Sequence, residues 1–162
     1  MVRNLFQWAL RISAAVALAG FCLSGCGNPQ SPAAAIPSGW VRDCPGNAFC
    51  FQRPSSLVLK PAQVIDSLAA EYSSDELVLR YDYGRYPTSL AHLINPREEK
   101  ITVDGRPAKA IYSESEVVLV VPKVHEAGAF SPQLTMTLVF KVKASADVAS
   151  KVFKSVVFMP PR

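Results

Sequence analysis

The stretch Gln133-Leu134-Thr135-Met136-Thr137-Leu138-Val139-Phe140-Lys141-Val142-Lys143 decides the fold. Leu134, Met136, Leu138, Phe140 and Val142 alternate with Thr135, Thr137, Lys141 and Lys143. That period of two is what a strand needs to bury one face and wet the other. Working outward, Leu77, Leu79, Tyr81 and Tyr83 share one face of a second strand, with Arg80 and Asp82 on the other. Ile101-Thr102-Val103, Asp104-Gly105 and residues 107–113 read as a hairpin, because Asp-Gly suits a type I′ turn with positive φ at both central positions. Residues 116–121 form a short buried-type strand, and residues 64–72 end in a β-friendly stretch. Near the C-terminus the spacing changes. Val148, Ala149, Val152, Phe153 and Val156 recur at helical intervals. Ser145 suits the cap of that helix, Asp147 its positive start, and Lys151 and Lys154 its negative end, with Pro160-Pro161 stopping the chain beyond. An antiparallel sheet with one helix across a face buries both kinds of stripe, so the expected fold class is α+β.

The N-terminal segment has a different composition. Residues 1–25 hold 17 apolar residues and no Asp or Glu. Without Arg3 and Arg11, the other 137 residues carry 15 Lys and Arg against 13 Asp and Glu, so the net charge of +4 falls to +2. That argues against a nucleic-acid partner, which requires clustered cations. The uncharged run from Ile12 to Leu23 is a dozen residues long, whereas a spanning helix needs about 20. Extending it back to Leu5 would place Arg11 inside the bilayer at about 2.5–3.5 kcal/mol. Its length matches a secretory signal.

Leu23-Ser24-Gly25-Cys26 follows that run directly and resembles the lipobox of bacterial lipoproteins. The resemblance implies that Cys26 receives a diacylglycerol through its thiol, and that the signal peptidase cuts between Gly25 and Cys26. Cys22 is a poorer candidate because bulky Phe21 precedes it. Two or more acyl chains anchor a protein stably. Gly27 stands where an Asp would resemble an inner-membrane retention signal, so the expected location is the outer membrane, facing the periplasm. Residues 28–39 read NPQSPAAAIPSG, with three prolines and no charge, a composition for a tether rather than a core. The expected organisation is a signal peptide over 1–25, a lipid-anchored tether over 26–40 and one domain over 41–160. Two cysteines then remain, Cys44 and Cys50. In an oxidising compartment a disulfide is the default, and Pro45-Gly46 supplies the turn it needs. A redox pair would have Cys-x-x-Cys spacing, and a metal site would need further ligands nearby.

The domain is similar to the PsbP-like group of small exported α+β domains and to proteobacterial lipoproteins of uncharacterised role. The matching features are Phe49-Cys50-Phe51 as a first strand, the strand end Asp82-Tyr83-Gly84, and the segment Lys151-Val152-Phe153-Lys154-Ser155-Val156-Val157-Phe158. This implies a fold, with binding or accessory roles, more than an activity.

Chemistry is sparse. No Gly-x-Ser-x-Gly elbow is present, and His125-Glu126 lacks the second His of a zinc-protease helix. His92 and His125, the only histidines, fall in expected loops, where solvated side chains are the usual outcome. No metal or other cofactor is expected. Arg97-Glu98-Glu99-Lys100 reads as a solvated loop or turn. The most suggestive segment is Asp82-Tyr83-Gly84-Arg85-Tyr86-Pro87, where two aromatics, an acid and a base meet at the end of a strand. Asp82, Tyr83, Arg85 and Tyr86 are therefore candidate binding residues. The plainer alternative is a strand-terminating turn with Asp82 paired to Arg80 or Arg85. Three readings follow: a non-enzymatic binding or accessory module for an envelope protein or small ligand; a periplasmic enzyme using Asp82 or Glu71 with Tyr83; or a structural subunit of an envelope assembly.

Overall fold

The period-two stretches fold as strands. The computed structural model describes residues 35–60, 66–86, 88–125, 131–141 and 146–160. Within them the order is β1 (Trp40–Asp43), a 3-10 turn at Pro45–Asn47, β2 (Phe49–Pro54), β3 (Val58–Lys60), β4 (Leu68–Ser73) and β5 (Leu77–Gly84). Then follow β6 (Arg97–Val103), β7 (Arg106–Tyr112), β8 (Glu116–Val121), β9 (Gln133–Phe140), α1 (Ala146–Lys154) and β10 (Val157–Phe158). Seven strands form an antiparallel sheet in the order β3-β4-β5-β9-β8-β7-β6, and β1-β2-β10 form a small second one. The architecture is mostly antiparallel β with one C-terminal helix packed against it.

The expected apolar stripes meet in one core. Leu77, Leu79 and Tyr81 of β5 pack with Leu134, Met136 and Leu138 of β9 and Val117, Leu119 and Val121 of β8. Phe49, Phe51, Leu57, Val152, Phe153, Val156 and Phe158 cover this face. The Phe49 ring sits 5.3 Å from Tyr81, 5.5 Å from Tyr83 and 5.9 Å from Phe51. Asp104 and Gly105 take φ of 47° and 75°, so the β6–β7 hairpin uses the type I′ turn that Asp-Gly favours. Asp104 Oδ2 also accepts the Phe158 N–H at 2.9 Å, tying that turn to β10.

Four details differ from the expectation. Phe49-Cys50-Phe51 lies in the second strand, because Trp40, the last residue assigned to the tether, opens β1. Arg97-Glu98-Glu99-Lys100 is exposed but is strand, not loop or turn: it opens β6. β6 is a sheet edge, and charge on an edge strand discourages pairing with another chain. The helix ends at Lys154, and the chain then pairs Val157 and Phe158 with Cys50 and Phe49. Ser155 makes that junction, since its Oγ accepts the Gln52 N–H at 2.7 Å and donates to the Val152 carbonyl at 2.6 Å. Finally, Val78, Val118 and Ile111 are buried although they point away from the core. Ser145 and Val142 lie outside the described residues.

The topology accounts for that second buried face. β5 and β6 are separated by β9, β8 and β7, about 19 Å at about 4.8 Å per strand. The described residues 85–86 and 88–96 belong to the connection that crosses that distance. Thr88 donates to Asp82 Oδ2 at 3.3 Å, His92 lies 3.3 Å from Glu116, and Ser113 Oγ donates to the Ile94 carbonyl at 3.0 Å. Asp82 and Glu116 both project from the face opposite the core. The connection is therefore a strap laid across that face, with Leu90 and Leu93 half-buried.

Candidate functional site

Strand alternation separates the candidate residues. Asp82 points to the strap face and Tyr83 to the core face, because neighbours on a strand face opposite ways. Tyr83 is half-buried against Phe49, and its hydroxyl lies 3.4 Å from His125 Nε2. Burial pushes its hydroxyl pKa up, while Arg106 pulls it down. Arg85 and Tyr86 begin the strap and are exposed. The structure thus places Asp82 and Tyr83 on opposite faces of the sheet.

It brings Asp82 together with other groups instead. The register places Ala69 opposite Asp82 and Glu71 opposite Arg80, then Thr135 opposite Asp82 and Thr137 opposite Arg80. These side chains line an open groove of about 260 Å³, with Thr88 of the strap on its rim. Arg80 Nε donates to Glu71 Oε2 at 2.7 Å, so Arg80 pairs with Glu71 rather than with Asp82. Thr135 is almost fully buried, and its Oγ1 accepts from Gln133 Nε2 at 3.2 Å. Asp82 Oδ1 is buried and has no hydrogen-bond partner among the described residues. Gly84 makes this close packing feasible: a Cβ there would lie 2.8 Å from Ser67 Cβ and 3.5 Å from Asp82 Oδ1.

A larger cavity of about 430 Å³ lies beside the disulfide, between Asp43, Lys60, Tyr72 and Tyr81. Asp43 and Tyr72 are tied to each other and to Arg53. Asp43 Oδ2 accepts from Arg53 Nε at 2.5 Å, the Tyr72 hydroxyl bonds the same carboxylate, and the Arg53 guanidinium lies 4.4 Å over the Tyr72 ring. Desolvation, then the Asp43 charge, pushes the Tyr72 hydroxyl far above its ordinary pKa, and the same two causes raise that of Tyr81. This cluster fastens β1 and β2 to β4. The Cys44–Cys50 disulfide is formed, with sulfurs 2.06 Å apart, and closes the 3-10 turn between β1 and β2.

His92 and His125 sit in loops, as expected, and each has a partner of its own. Among the described residues, no three His, Cys, Asp or Glu side chains gather to hold a metal, and no helix is long and apolar enough to cross a membrane. Cys26, Gly25 and the tether up to residue 34 lie outside the described residues, whereas residues 35–39 are exposed. Sequence reasoning named Thr135 and Thr137 only as the wet side of a strand. Their place beside Asp82 depends on the β5–β9 register, which one strand's pattern does not reveal. Comparison with family models, with curated proteins and with solved structures returns no match for the chain.

Proposed function

We propose that the chain is the precursor of a lipid-anchored cell-envelope protein whose folded part is a non-enzymatic binding or accessory module. Leu23-Ser24-Gly25-Cys26 directly after an uncharged run of a dozen residues carries the reading. In it, residues 1–25 are the signal peptide, Cys26 bears the lipid, residues 26–39 tether it, and the domain faces the periplasm from the outer membrane. The Cys44–Cys50 disulfide supports an oxidising compartment independently of that motif. Binding is favoured over acid–base catalysis by Asp82 with Tyr83, because their side chains lie on opposite faces of the sheet. The test is metabolic labelling with an alkynyl palmitate in the native host. Label should appear on the wild-type chain and vanish in Cys26→Ala. Label that survives the substitution, or never appears, contradicts the anchor.

A further inference from the structure

We propose that the groove between β4, β5, β9 and the strap takes a small ligand with a primary ammonium group flanked by hydroxyls, held through Asp82. This rests on reading the domain as a binding module and names its ligand class. The strap-side face of the sheet is aliphatic where the strap covers it, at Val118 and Ile111. Toward β4 and β5 it becomes polar, with Thr135, Thr137, Asp82 and the Glu71–Arg80 pair lining an open space. A face meant only for packing has no use for this change, since a buried polar group without a partner is costly.

Each group has capacity left for a ligand. Asp82 Oδ1 is an acceptor without a donor among the described residues. Its partner oxygen receives only a long, exposed bond from Thr88, at 3.3 Å. Asp82 and Thr88 both line the groove, and a carboxylate oxygen has two lone pairs, so the oxygen beside Thr88 can accept from a ligand as well. An ammonium donor adds a charge–charge attraction to the carboxylate that the neutral Thr88 hydroxyl lacks, and so displaces Thr88. Thr135 Oγ1 already accepts from Gln133, which leaves its own proton for a ligand oxygen. Thr137 adds a second hydroxyl on the same wall, and Ala69 and Ala70 leave room for a carbon frame. The volume equals about nine waters at about 30 Å³ each, enough for one sugar-sized molecule.

Glucosamine is the probe, with glucose and N-acetylglucosamine as controls lacking the ammonium. Each is titrated into the isotopically labelled full acylated chain in detergent micelles, followed by NMR. Glucosamine should shift resonances of Ala69, Ala70, Thr88, Thr135 and Thr137 saturably, and the two controls should bind at least about tenfold more weakly. Asp82→Asn should weaken glucosamine binding by about tenfold or more, and Thr135→Val by severalfold, with the melting transition of each variant reporting that it folds. Equal binding of glucose, shifts that map elsewhere, no saturable shift, or full binding by a folded Asp82→Asn would each overturn the ligand class. A photocrosslinker at Thr88 in the native envelope separates the two failures. Adducts to a component without an amine leave the binding-module reading standing, whereas no adduct, together with no glucosamine binding, removes both.

Discussion

The seven-stranded sheet has two unlike faces. One meets β2, β10 and α1 and is filled by interlocking rings and aliphatic chains, with Phe49, Phe51, Leu79, Leu134, Met136 and Leu138 essentially without exposure. The other is crossed by a strap with polar contacts at Thr88, His92 and Ile94 and leaves a polar groove beside it. The first face uses non-directional burial, where each side chain adds stability and none offers chemistry. The second carries carboxylate and hydroxyl groups beside an open groove, where the proposed binding would use them. Under the proposed binding role, stability and recognition are divided between the two sides of the same strands.

The largest effect should come from the ring cluster. Phe49→Ala should cost about 3–5 kcal/mol in chemical denaturation, since it empties a fully buried site. A loss under about 1 kcal/mol would mean that the core face is not where stability resides. Reducing the Cys44–Cys50 disulfide should cost about 2 kcal/mol, as the cysteines are only six residues apart and loop entropy grows slowly with length. An equal melting temperature with and without reductant would contradict that value.

Alkaline pH distinguishes the faces in another way. Tyr72, Tyr81 and Tyr83 have hydroxyl pKa values raised chiefly by desolvation, and all three project toward the core. They stay protonated in the folded chain while the unfolded chain ionises near pH 10. Stability should therefore be intact below about pH 10 and be lost as pH rises through the raised values. Denaturation midpoints measured from neutral to alkaline pH check the sign, and a midpoint that rises with pH contradicts it.

The groove face should respond least. Thr135→Val should change stability by no more than about 1 kcal/mol, because valine keeps the shape and loses one hydrogen bond. Arg80→Ala should cost less than about 1 kcal/mol, as Arg80 is more than half exposed and its pair with Glu71 is screened by solvent. A several-kcal/mol loss from either would merge the two faces into one stabilising unit.

Local pattern carried much of this fold. The alternation in β5 and β9, the Asp104-Gly105 turn and the stripe of α1 each depend on residues within a few positions, so the elements and the buried core face were legible. β1, β3 and β10 have four, three and two residues and are too short for a period to declare itself. Only the second half of β6, Ile101 to Val103, was legible, because its first four residues are charged, which suits an edge but hides a strand. The groove was legible only through Asp82 and Glu71. Its other wall comes from β4 and β9, placed beside β5 by long-range pairing, and its rim from a strap whose path follows from strand order.

Intact mass of the native protein, extracted from membranes and alkylated with and without reduction, tests the central claim most directly. The account predicts a chain beginning at Cys26 with added acyl mass, in which Cys44 and Cys50 alkylate only after reduction. An unacylated chain that still begins at Met1, with both thiols alkylating freely, would contradict the anchor, the compartment and the disulfide together.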